Sequence, residues 1–257
     1  MLLVNLGFRY KPYFSICLGI LLILGLGSCV RQMPSEVTMF RAKPFKADVP
    51  AAPVPMKKEM IVIDAGHGGH DTGSMSKTHN YVEKQLALDT ALSVCQYLEE
   101  MGYKTKMTRY NDRFIPLSDR AKMANDLQAD LFVSVHYNHC PSQEPHGIEI
   151  FTYKEHGARF IASTKLGEQV NSHIVKYTGM HSRGVKQGNL AVVRETKMPA
   201  ILVEAGFLSN PREREKVKDP QHQRAIAWGI AKGIDHYLKS VSAAPVAAKK
   251  DHLQWHR

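Results

Sequence analysis

With 257 residues, 44% hydrophobic and 23% charged, the chain has the length and composition of one sizeable globular domain with appendages. The net charge of +10 comes from scattered lysines and arginines, without aromatic interleaving or a nucleic-acid module. That argues against nucleic acid and for an anionic membrane face or a carboxylate-rich polymer such as bacterial cell-wall peptide. Of four cysteines, two fall in the first 29 residues, which leaves at most one disulfide, between Cys95 and Cys140. Both are expected to be packing residues.

Residues 1–29 read as an export signal: Arg9 and Lys11 are followed by an uncharged run from Pro12 to Leu26 and then by small residues before Cys29. The most apolar part, Phe14 to Leu26, would cover roughly 20 Å as helix against a hydrocarbon core of about 30 Å, too short for a comfortable span. Leu26-Gly27-Ser28-Cys29 resembles the bacterial lipoprotein signal, which makes Cys29 a candidate lipidation site. An uncleaved anchor or a plain signal peptide are the alternatives. In each case the working domain is expected outside the cytoplasm, in the periplasm, and a lipid or an uncleaved anchor would also hold it to the membrane. Residues 30–57, with Pro34, Pro44, Pro50, Pro53 and Pro55, read as an extended tether.

The folded domain is expected over residues 58–240. Met60–Asp64 predicts a buried strand running into Gly66-His67-Gly68-Gly69, whose glycines permit a tight turn. Leu86, Leu88, Ala91, Leu92, Cys95, Leu98 and Met101 mark an amphipathic helix ended by Gly102. Lys104–Thr108 alternates as a strand, and Pro116 opens a helix with Leu117, Ala121, Ala124 and Leu127 on one side. Leu131–His136 and Gly147–Tyr153 predict two more strands. Ala158 to Val175 reads as a helix with Phe160, Ile161, Leu166, Val170 and Ile174 inward. Leu190–Arg194 and Ala200–Glu204 read as strands, Asn210-Pro211 as a helix start, and Ala225–Leu238 as a closing helix. This alternation predicts a single α/β domain: a twisted, mostly parallel sheet of five or six strands with helices on both faces. Residues 241–257, rich in Ala and Pro, are expected to be a disordered tail.

Three buried strands stop at ionisable residues: His67, His136 and Glu204. Parallel strands bring their carboxyl ends to one edge, so these groups can converge from distant positions. Glu83 begins the helix that follows the first strand's loop and can face the same edge, although a carboxylate in a first turn also suits the helix dipole. Two imidazoles and a carboxylate with one open position are the ligand set of a catalytic zinc site, and a further glutamate is what a zinc hydrolase needs to deprotonate water. Thiolates are too few for a cysteine-based structural site, and His-Glu-x-x-His is absent.

Asp64-Ala65-Gly66-His67-Gly68-Gly69, Glu83-Lys84, Ser134-Val135-His136 and Leu202 to Asn210 resemble, in order, the signature motifs of the zinc-dependent N-acetylmuramoyl-L-alanine amidases of bacterial cell-wall remodelling. The resemblance covers about residues 59–239. It implies one zinc ion (Zn2+) per chain bound by His67, Glu83 and His136, Glu204 as the catalytic carboxylate, and peptidoglycan as substrate. Asn138 matches the family and is a candidate substrate contact, but His139 stands where alanine is usual, which makes it a candidate substrate contact or fourth ligand. No segment between His146 and Gly184 corresponds to the inhibitory helix of division-site members, and any activator protein is unspecified.

Substrate positioning is less legible. Arg120 and Arg194, near strand–helix boundaries, are candidates for stem-peptide carboxylates, and Asn189 and Gln187, around an expected Gly184–Gly188 loop, are candidate rim residues. Asp64 is expected to orient a ligand or cap the loop. A rival chemistry is serine acyl transfer, because Ser74-Met75-Ser76-Lys77 is a Ser-x-x-Lys and Lys176 to Gly179 loosely resembles Lys-Thr-Gly. That nucleophile motif belongs on a helix, whereas Ser74 and Lys77 fall in an expected loop. A dead-site wall-binding lipoprotein is the non-enzymatic alternative.

Overall fold

The computed structural model describes residues 54–75 and 82–243. Six strands form one sheet: β1 (Met60–Ala65), β2 (Lys104–Met107), β3 (Leu131–Asn138), β4 (Ile148–Tyr153), β5 (Ser182–Gly188) and β6 (Ala200–Phe207), in the order β2-β1-β3-β6-β4-β5. β2, β1, β3 and β6 are mutually parallel. β4 runs antiparallel to β6, and β5 is parallel to β4. The expected mostly parallel α/β sheet is therefore present, with one reversal.

Among the described residues six helices complete the domain: α1 (Glu83–Glu100), α2 (Leu117–Asp126), α3 (Ala158–Thr178), α4 (Ala191–Arg194), α5 (Pro211–Lys218) and α6 (Pro220–Ala243). Alternation along the strands divides the core. Ile61, Ile63, Val133, Val135, Ile201 and Val203 pack in one cluster with α1, α3 and α6. Val62, Phe132 and Leu202 point the other way, toward Ala124 of α2 and Val192 and Val193 of α4. Strands covered on both faces are apolar at nearly every position, which is why β1, β3 and β6 read as continuous runs. α3 and α6 approach closely at Gly229 and Gly233, where a Cβ would lie 2.6 and 2.4 Å from the Cα atoms of Ile174 and Val170. Asn210 caps α5 by accepting from the Arg212 and Glu213 amides, as the Asn-Pro pair predicts.

Several expectations are corrected. Leu190–Arg194 is not a strand: Val192 and Val193 are apolar because the short helix α4 seals one face of the sheet. The expected Gly184–Gly188 loop is instead part of β5, an edge strand that needs few apolar residues. Leu92, Leu117, Leu127 and Ile161 lie on the solvent side of their helices, each exposed by 39% or more. Folded contacts begin before Lys58, since the Lys57 amide donates to Gly102 O and Lys57 Nζ pairs with Asp235. α6 continues to Ala243, into the expected tail. The signal-like residues 1–29 with Cys29, most of the tether and residues 244–257 lie outside the described residues. Cys95 is buried, Cys140 is half-buried, and both are free thiols. Among the described residues, no helix is long and apolar enough to cross a membrane.

Candidate metal centre

The carboxyl ends of β1, β3 and β6 form one edge, with Asp64 beside Ser134 and His136 beside Glu204 in register. His67 follows β1 on the turn. A Cβ on Gly66 would lie 2.3 Å from the His136 ring, so the absent side chain lets the two imidazoles approach to 4.7 Å between ring centroids. His67 itself adopts φ 60°, a left-handed conformation uncommon outside glycine, so the tight turn falls on the functional residue as well as on Gly68 and Gly69.

Three ligand atoms meet there. His67 Nε2 and His136 Nδ1 each lie 2.9 Å from Glu83 Oε1, and they lie 3.1 Å from one another. Two arms of about 2.0–2.1 Å at a tetrahedral ion subtend roughly 3.3 Å, so this donor set fits a divalent ion after a small expansion. Among the described residues, these three side chains form the one group with metal-site spacing. The Tyr137 and Ser74 amides donate to Glu83 Oε1 and Oε2. Burial would raise the Glu83 carboxyl, but hydrogen bonds from His136 and His67 outweigh it and hold the group ionised far below the ordinary range. Asp71 Oδ2 sits 2.9 Å from His67 Nδ1 and orients the ring from behind, a role no sequence feature of that loop announced.

Glu204 faces this group from the neighbouring strand. Burial pushes its carboxyl up to about 7, His136 pulls it down, and Glu83 and Glu149 push it further up. Its Oε2 is buried with no hydrogen-bond partner among the described residues. An unpartnered buried carboxylate oxygen is costly unless something else binds it.

Arg120 is not a substrate contact at the rim but a clamp beneath it, with 2% of its surface exposed. Nε donates to Ile115 O, Nη1 to Asp64 Oδ1 and Ala65 O, and Nη2 to His67 O at 2.7 Å. Asp64 also accepts from Thr108 and Ser134, so it supports the loop through Arg120 and hydrogen-bonds to neither histidine. Arg109, unremarked in the sequence, adds bonds to the carbonyls of Ala65, Gly66 and Lys84. Its only signal was position: it follows the strand beside β1.

The other candidates divide by edge. Asn138 donates to Glu149 Oε2 close to the centre, while His139 is exposed and contributes no atom to the ligand group. Gln187, Asn189 and Arg194 lie at the opposite end of the sheet. The reason is the reversal at β4: β5, parallel to it, begins at the metal edge with Ser182 and leaves that edge toward Gly188. There Arg194 donates to Asn189 and Glu195. Ser74 lies in a loop, its backbone bonded on both sides to Glu83, and Lys77 is outside the described residues.

Fold and site together are those of a hydrolase: a parallel sheet edge presents two histidines and a carboxylate that could hold a metal ion, opposite a glutamate with an unpartnered oxygen. Residues 61–236 match the family model described as N-acetylmuramoyl-L-alanine amidase, and the chain belongs to that family. A probable cell wall amidase, LytH, of Staphylococcus epidermidis is 33% identical over 195 residues, 76% of this chain and 63% of that protein. The match therefore spans less than two thirds of that relative. An N-acetylmuramoyl-L-alanine amidase of Clostridium difficile 630 superposes with TM-score 0.68 at 38% identity, covering 71% of this chain and 97% of the other. The catalytic domain of the amidase CwlV from Bacillus (Paenibacillus) polymyxa gives TM-score 0.66 at 36% identity, covering 70% and 98%.

Proposed function

We propose that this chain is a zinc-dependent hydrolase of peptidoglycan, cleaving the amide between the lactyl group of N-acetylmuramic acid and the first L-alanine of the stem peptide during wall remodelling or daughter-cell separation. The carrying observation is the meeting of His67 Nε2, Glu83 Oε1 and His136 Nδ1 within 3.1 Å beside the unpartnered Oε2 of Glu204. Family membership supports the bond cleaved.

His67, Glu83 and His136 hold the ion. Zinc, when bound, supplies Lewis acidity toward water and the scissile carbonyl. Glu204 Oε2 accepts a proton from the attacking water as its oxygen bonds to the carbonyl carbon. The same carboxyl then gives that proton to the alanine nitrogen as the C–N bond breaks, leaving a free acid and a free amine. Burial pushes this carboxyl up and a bound ion would pull it down, and the balance between them sets how readily it accepts and returns the proton. Asp71 keeps the His67 ring turned toward the ion, and Arg120 keeps the loop carbonyls in place.

Mass spectrometry of digested sacculi tests the bond assignment. Free peptides with L-alanine amino termini are expected, and products cut only within the stem peptide would overturn it. Export to the periplasm and tethering through Cys29 rest on the sequence of residues 1–29. Palmitate labelling lost on Cys29→Ala is the expected outcome, and unchanged labelling would remove the lipid anchor.

A further inference from the structure

Beyond Glu204 the polar row continues across the reversed strands. Glu149 of β4 is the register partner of Glu204 and is 4% exposed. Its Oε1 accepts from Arg183 Nε and from Lys186 Nζ, the latter at 2.5 Å, and its Oε2 accepts from Asn138. Burial opposes ionisation of Glu149, but Lys186 and Arg183 outweigh it and keep the carboxyl below its ordinary range. One carboxylate thus meets two cations.

We propose that Arg183 and Lys186 form a subsite for a carboxylate carried by the leaving peptide, resting on the amide-hydrolase reading above. Both side chains reach solvent, with 31% and 40% of their surface exposed, on the edge strand β5. Arg183 lies 5.1 Å over the Phe207 ring and spends Nε on Glu149. Nη2 has no partner among the described residues, so an arginine end is held ready for a planar anion. Neighbouring strands stand roughly 4.7–4.9 Å apart, and both cations reach from β5 across to Glu149 on β4, which puts their charged ends about 5–10 Å from Glu204. An extended peptide advances about 3.3–3.6 Å per residue, so the carboxylate belongs two to three residues beyond the scissile amide. The glycan side of that bond carries neutral sugar groups, whereas the peptide side carries the charge.

The test uses purified full-length chain loaded with zinc and two sets of synthetic N-acetylmuramoyl peptides, differing only in a free carboxylate or a carboxamide at the second or third residue. The expected result is a preference for the carboxylate of about tenfold in kcat/KM, expressed mainly in KM. Arg183→Gln should bring the ratio near one, Lys186→Gln should lower it less, and Arg183→Lys should restore part of it while keeping the pairing with Glu149. Zinc content and melting temperature report that each variant is folded. A wild-type chain that cleaves both peptides equally, or variants that keep the full preference, would overturn the subsite alone. A wild-type chain that cleaves neither would overturn the amidase reading and the subsite with it.

Discussion

Glu204 and Asp235 are two buried carboxylates at opposite ends of the same domain, and they are treated in opposite ways. Asp235, on α6 near the amino ends of β1 and β2, accepts from Tyr103 Oη at 3.0 Å, Lys57 Nζ at 3.3 Å and Lys239 Nζ at 2.8 Å. Burial would raise its carboxyl, but Lys239 and Tyr103 outweigh that, so it stays below the ordinary value. Glu204 receives no such matching: one oxygen is unpartnered and the carboxyl rises to about 7. Residue type does not separate them; the completeness of the surrounding donor set does. A satisfied carboxylate ties elements together, and an unsatisfied one is left for chemistry.

The largest expected effect breaks this contrast at its reactive end. Glu204→Gln keeps shape and removes the proton acceptor, so turnover on purified sacculi should fall by about 10²–10⁴-fold or more while zinc content is retained. Its stability should hold or rise, because a neutral amide is cheaper to bury than a carboxylate without partners. Near wild-type digestion of sacculi by this variant would end the assignment of Glu204.

Arg120→Leu comes next. It strands Asp64 in the core and frees the carbonyls of Ile115 and His67, while that of Ala65 keeps Arg109, at an expected cost of about 3–5 kcal/mol in urea unfolding. A loss below 1 kcal/mol would mean that the loop is held by Arg109 alone. Asp71→Asn acts on the metal only through the His67 ring and should weaken zinc binding about 10–100-fold in chelator competition.

Asp235→Asn sharpens the stabilising end. Because the folded carboxyl titrates below the unfolded value of 3.8, its contribution is fully present above that value and is lost as pH falls through the lower folded value. The variant should lose about 1.5 kcal/mol at pH 7, and its deficit should shrink below pH 3.8. A deficit that is constant with pH would show that charge at this site contributes nothing.

Much of this contrast was legible in the sequence, and what was not has a physical cause. β1, β3 and β6 announced themselves because burial on both faces demands apolar residues throughout, and their polar ends therefore stood out as His67, His136 and Glu204. β5 did not, because an edge strand carrying Arg183, Gly184 and Lys186 has no apolar period. The direction of β4 is likewise invisible to periodicity, yet it decides which end of β5 meets the metal edge. Arg120 shares a helix with Ala121 and Ala124, and spacing could not tell that its head turns under the loop instead of outward.

Arg194 is where that invisible direction has its smallest and most specific consequence. From the sequence it stood beside Asn189 as a candidate for a substrate carboxylate, but β5 carries the chain away from the metal edge before either residue is reached. Arg194 bonds Asn189 at 2.7 Å and Glu195 at 2.8 Å, with about a third of its side chain exposed. Pairs of that kind contribute little in water, so Arg194→Ala should change stability by no more than about 0.5 kcal/mol and kcat/KM by no more than about twofold. A tenfold loss of kcat/KM at unchanged stability would mean that substrate reaches the far edge. The division of the sheet into a reactive end and a stabilising end would then be wrong.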